Sequence, residues 1–144
     1  MGKVYGRILI DRIRNGTDGI FGEEQCRFRR GRECVDQIFT ARDVSEKYTS
    51  KGKDVYWAFM DLEKAYDRID REALWTVLQG YGVRGAVLQA VKSFYVGSRA
   101  CVRVGNEVSR WFEVKTGLRQ GCVMSSWHFN VYMDGVVRRV NAKA

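Results

Sequence analysis

A chain of 144 residues with 45% hydrophobic and 29% charged content suits one globular domain, and it contains no repeat, low-complexity tract or linker. Its 25 Lys and Arg against 17 Asp and Glu give a formal net charge of +8, which favours a polyanionic partner, nucleic acid first and an anionic membrane surface second. No apolar run reaches the roughly 18 to 20 residues that span a bilayer, and "MGKVYGRILIDRIRNG" lacks a signal-peptide core and cleavage site, so a soluble intracellular chain is expected.

In chain order, residues 3–14 mix Val4, Ile8, Leu9 and Ile13 with basic positions as an amphipathic helix does. The apolar positions Ile38, Ala41, Val44 and Tyr48 step by three and four, predicting a second helix that ends at "TSKGKD". The run "VYWAFM", residues 55–60, is aromatic-rich, short and bounded by polar residues, which predicts a central strand. Asp70 caps a third helix with Leu74, Val77, Leu78 and Tyr81 on its apolar face, and beyond Gly82 a fourth uses Val87, Leu88, Val91, Phe94 and Tyr95. "CVRVGNEVSRWFEV" predicts two strands around a Gly105-Asn106 hairpin turn. A last helix carries Phe129, Tyr132, Met133, Val136 and Val140, with Ser125 or Ser126 placed to cap it. The order reads as α+β. Four cysteines without a CxxC pair and a single histidine signal neither a zinc cluster nor a disulfide framework, so the thiols read as structural.

Strand alternation puts Asp61 on the face of Val55, Trp57 and Phe59, at the point where the chain leaves the sheet. An ionised carboxylate there needs a partner: a capped turn, a basic side chain such as Lys64, or a divalent cation. Geometry alone leaves a turn-capping acid and a metal ligand both open.

Three motifs carry a resemblance. "AFMDLEKAYDRIDREALW" resembles motif A of the reverse transcriptases encoded by non-LTR, LINE-type retrotransposons, with its apolar strand, catalytic Asp and Lys-Ala-aromatic-Asp. "EEQCRFRRGRECVDQIF" is similar to that family's fingers motif, and "GLRQGCVMSSWHFNVYMDGVV" to its motif B. The resemblance runs from about Lys3 to the last residues and implies an incomplete right-hand polymerase, fingers-like over about 1–53 and palm-like over about 54–144. The family's Asp-Asp hairpin and thumb find no counterpart in these residues, so the chain by itself is expected to be inactive as an RNA-directed DNA polymerase. A non-catalytic nucleic-acid-binding remnant of a decayed element is the alternative.

The resemblance also implies roles. Asp61 would be the catalytic carboxylate and, with the main-chain carbonyl of Leu62, a magnesium ligand. Tyr66 would sit beneath the incoming sugar, though position alone fits a core residue as well. Arg29 and Arg32 would meet the triphosphate or template backbone, for which a permanently charged, forked guanidinium is suited. Gln120 and Gly121 would lie against the nascent base pair. The implied partners are an RNA template, a DNA primer and deoxynucleoside triphosphates. Asp67 reads as a turn or helix-entry residue and Asp134 as a solvated helix acid. Three positions depart from the pattern: Arg27 replaces a Gly, with strain expected if that site has positive φ, Ser126 replaces a Pro, and His128 replaces a Leu on a face expected to be buried.

Overall fold

The computed structural model describes residues 2–17, 19–23, 25–29 and 31–143. Among the described residues five helices and four two-residue strands follow one another as α1 Gly2–Thr17, α2 Cys34–Thr49, α3 Arg71–Gly80, α4 Gly85–Ser93, β1 Arg99–Ala100, β2 Arg103–Val104, β3 Glu107–Val108, β4 Phe112–Glu113 and α5 Ser125–Asn141. An α+β class is thereby borne out, with helices providing the mass.

Helix α1 buries Gly6, Leu9, Ile10, Ile13 and Thr17, the three- and four-residue steps of one helical stripe, and packs on α4. Helix α3 begins as its sequence demands: the Asp70 carboxylate accepts from the Glu72 and Ala73 amides at 2.8 and 3.1 Å. It ends in a Schellman turn, with Val83 N–H donating to Leu78 O at 3.0 Å and Gly82 N–H to Gln79 O at 3.1 Å around a Gly82 at φ +83°. Leu78 and Val83, the apolar pair such a turn brings together, are both buried. Helix α3 packs on α4 and α5, and the core they share with α1 centres on Ile10, Leu74, Leu78, Val91, Met124 and Val131.

The hairpin turns at Gly105-Asn106 and holds two short ladders, Arg103↔Val108 with Val104↔Glu107, and Arg99↔Glu113 with Ala100↔Phe112. Ser109 joins them, its amide donating to Val102 O while its hydroxyl accepts from Val102 N, each at 2.9 Å.

Two expectations fail. Residues 55–60 are not a strand: Tyr56, Phe59 and Met60 are each 90% exposed or more, and no backbone hydrogen bond involves residues 54–62 among those described. A strand needs a partner strand, and none of the described residues supplies one here. Helix α2, although helical over the expected span, buries none of its residues, so its apolar positions Ile38 and Phe39 face outward.

Candidate active site

The turn over residues 61–70 folds on itself through Asp67 N–H to Lys64 O at 2.9 Å and Arg68 N–H to Lys64 O at 3.1 Å, with Lys64 in the left-handed region at φ +50°. Against it lies the loop 116–122. Gly117 N–H donates to Ile69 O and Leu118 N–H to Tyr66 O, both at 2.8 Å, and Gln120 Nε2 donates to Asp67 Oδ1 at 3.1 Å. The approach is so close that a Cβ on Gly117, itself at φ +80°, would stand 2.7 Å from the Asp67 carbonyl oxygen. Only glycine satisfies both conditions.

Arg71 locks the junction from below. Its guanidinium donates to the carbonyls of Gly117, Val114 and Thr116 at 2.9, 2.8 and 3.1 Å, and lies 4.9 Å from the centre of the Tyr95 ring. Burial lowers the Arg71 pKa, but a guanidinium stays charged at neutral pH.

This clamp brings three of the expected site residues together. Tyr66, Gln120 and Gly121 line one cavity of about 370 Å³ with Phe28, Cys122, Ser125 and Ser126. The Tyr66 ring stacks on Phe129 at 4.7 Å between centroids and 9° between planes, and burial raises its hydroxyl pKa against the opposing influence of Arg27. Tyr66 is thus both packed and cavity-facing. Asp67 is a turn residue, as expected, and it also anchors Gln120. Asp61 stands apart: it is exposed and lines a smaller cleft of about 260 Å³ with Leu62, Arg68, Phe129 and Tyr132 among others.

Arg29 and Arg32 are occupied. Arg29 donates to the carbonyls of Gly22 and Gln25 at 2.7 and 2.9 Å, and Arg32 pairs with Glu23. Arg29 lines a third cavity of about 690 Å³ with Arg7, Arg14, Trp127 and Asn130, and Phe28 forms part of both this cavity and the one holding Tyr66. Arg27 is not strained. The left-handed residue is its neighbour Phe28 at φ +56°, and Arg30 lies outside the described residues.

Three further expectations are corrected. Neither Ser125 nor Ser126 caps α5; Met124 is its N-cap, and the Ser125 hydroxyl donates to Arg119 O at 2.6 Å instead. Asp134 is buried rather than solvated, accepting from Gly22 N–H at 2.9 Å and from Arg138 Nε at 2.6 Å, so it ties α5 to the segment after α1. The cysteines are free, but Cys34 is exposed, so it is no packing thiol. His128 is buried as expected, with Nδ1 sharing a 3.2 Å hydrogen bond with the Tyr95 hydroxyl and Nε2 lacking a partner; burial lowers its pKa to about 4.

Sequence reasoning missed Arg71 and Phe28. Arg71 sits at the first position of a helix, which reads as ordinary solvated charge, and no local pattern announces three carbonyls from residues 114–117. Phe28, an aromatic inside a run of arginines, was the available signal for an exposed ring.

Among the described residues no group of three or more His, Cys, Asp or Glu side chains comes together to hold a metal ion. Asp61 and the Leu62 carbonyl are two hard oxygen donors of the kind magnesium takes from protein, with water and phosphate oxygens completing its six-fold shell, so they fit part of the ion's coordination. No helix among them is long and apolar enough to cross a membrane.

A family model described as reverse transcriptase (RNA-dependent DNA polymerase) matches residues 1–144. The chain is 26% identical over 136 residues to a retrovirus-related Pol polyprotein from type-1 retrotransposable element R2 of Nasonia vitripennis, covering 94% of this chain and 13% of that protein. It is 23% identical over 132 residues to the transposon TX1 uncharacterized 149 kDa protein of Xenopus laevis, covering 92% and 10%. To the Pol polyprotein from type-2 retrotransposable element R2DM of Drosophila melanogaster it is 27% identical over 106 residues, covering 73% and 10%. The chain therefore spans about a tenth of the length of these relatives.

Proposed function

Since the chain belongs to the reverse transcriptase (RNA-dependent DNA polymerase) family, we propose that it is fingers and palm, about 1–53 and 54–144, of an RNA-directed DNA polymerase of a non-LTR retrotransposon. The observation that carries this reading is the clamp between residues 61–70 and 116–122, which gathers Tyr66, Gln120 and Gly121 around one cavity. In this reading Tyr66 lies beneath the sugar of the incoming deoxynucleotide, where a packed ring leaves no room for a 2′-hydroxyl. Gln120 and the exposed backbone of Gly121 face the nascent base pair. Arg29 and Arg32 serve the triphosphate or template strand, Arg32 by exchanging Glu23 for phosphate oxygens.

The family's chemistry uses a divalent metal, which we read as magnesium, supplying Lewis-acid stabilisation of the transferring phosphoryl group. Asp61 would be its catalytic carboxylate ligand, and the Leu62 main-chain carbonyl would offer a second oxygen. RNA template, DNA primer and deoxynucleoside triphosphates are the partners, and the 144 residues alone are expected to extend no primer.

The test joins residues 1–144 to the remaining length of a related Pol polyprotein and follows primer extension on an RNA template. Asp61→Asn keeps shape and removes charge, so extension should fall by roughly a thousandfold or more while RNA affinity holds. Extension that survives the change makes Asp61 a structural acid and sinks the assignment.

A further inference from the structure

The hairpin of residues 99–113 stands almost wholly in solvent, and its two ladders do not share one register. Ala100 pairs with Phe112 and Val102 faces Ser109, so Cys101 alone stands opposite two residues, Arg110 and Trp111. Such a two-against-one mismatch is a β-bulge. Alternation counted inward from each ladder then puts Arg110 and Trp111 on the same face, and Arg99, Cys101 and Arg103 of the unbulged strand share it. Three cations and one ring are thereby gathered on one side. Arg99, Arg103 and Arg110 have no carboxylate or ring partner among the described residues. Trp111 is 60% exposed with no ring against it among those residues, whereas Trp57, Trp75 and Trp127 each lie against an aromatic ring.

We propose that this face docks single-stranded nucleic acid, one base stacking on Trp111 and the phosphates to either side meeting Arg99, Arg103 and Arg110. Two-residue steps of about 7 Å separate Arg99, Cys101 and Arg103 along the strand, so a ring opposite Cys101 lies between the outer two guanidinia. A free ring offers a stacking surface to any base, and the guanidinia supply charge that no neighbouring carboxylate cancels. In a duplex the bases already stack on one another, so the ring selects single strands. A membrane or an apolar protein surface fits this face poorly. Val108 is the one aliphatic side chain the ladders place on it, and burying three guanidinia without partners costs more than one ring returns. Glu113, also on this face, is paired with Lys115 at 3.8 Å. None of these residues lines the Tyr66 cavity or belongs to the arginine loop, so the surface can bind whether or not the polymerase assignment holds.

Fluorescence anisotropy of a labelled oligouridylate and of an abasic strand of the same length, both at low salt, separates the ring from the charges. Trp111→Ala should weaken oligouridylate binding about tenfold and leave the abasic strand within about twofold. Trp111→Phe should keep most of the affinity, and Phe112→Ala, on the opposite face, should change neither strand's binding. Arg99→Gln and Arg103→Gln should each lower the salt slope by roughly 0.7 for both strands. The thermal melt of Trp111→Ala should match the wild type, because the ring is exposed and unstacked. An oligouridylate affinity indifferent to Trp111→Ala, an equal loss on the abasic strand, or an equal loss from Phe112→Ala overturns the proposal. So does a Trp111→Ala loss on phosphatidylserine vesicles equal to that on oligouridylate.

Discussion

At the scale of single residues, Gly117 and His128 hold opposite positions: one is a small residue nothing else can replace, the other a polar residue held in the core with one ring nitrogen partnered and one not. Gly117→Ala adds a Cβ 2.7 Å from the Asp67 carbonyl at φ +80°, so it should cost about 2 kcal/mol or more in a urea melt, with the 61–70 turn losing protection first. His128 is fully buried, and burial lowers its pKa to about 4 from an ordinary 6.5. Below pH 6.5 the unfolded chain therefore binds a proton that the folded chain refuses. The stability this group contributes is whole above the unfolded value, falls as pH drops from 6.5 toward 4, and is gone below that. Two urea melts, near pH 7.5 and pH 5, should differ by about 2 kcal/mol more in the wild type than in His128→Leu. Equal differences in both chains would mean His128 protonates in place, its Nε2 having found water.

Among the elements, the helices were legible because their apolar positions recur at helical spacing and their ends carry local chemistry: Asp70 caps α3 and Gly82 closes it. The hairpin was legible from Gly105-Asn106. Residues 55–60 read as a strand for an equally sound reason, but strand formation is a property of two segments, and one sequence run cannot report whether the other is present. Tyr66, Gln120 and Gly121 were singled out only through the family resemblance, whereas the Arg71 clamp spans more than forty residues and leaves no local trace. Hydrogen exchange measures the difference directly. Amides of residues 55–62 should exchange within the dead time of manual mixing, while those of 74–78 and 127–134 stay protected. Phe59→Ser, at a position 91% exposed, should change stability by no more than about 0.5 kcal/mol. Slow exchange over 55–62 would show that another segment covers it.

For the whole molecule, a net charge of +8 matters only through where the cations are free to act. The arginine loop sorts them. Arg32 is paired with Glu23 and Arg29 donates one guanidinium nitrogen to the carbonyls of Gly22 and Gln25, while Arg27 is exposed, its guanidinium 5.1 Å from the centre of the Phe28 ring. Each phosphate neutralised by a free cation releases counterions, so affinity for single-stranded RNA should fall linearly on a log–log plot against salt, irrespective of sequence. Arg27→Gln should lower that slope by about one contact's worth, roughly 0.7. Arg32→Gln should lower it less, because Glu23 already holds that charge, and Glu23→Gln should raise it by freeing Arg32. Arg29→Gln should lower the slope and also thermal stability, because it removes two hydrogen bonds to backbone along with the charge. Fluorescence anisotropy of a labelled homopolymer at four salt concentrations reads all four variants. An affinity indifferent to salt would refute the electrostatic account, and equal slopes for Arg27→Gln and Arg32→Gln would show that the Glu23 pair does not persist in solution.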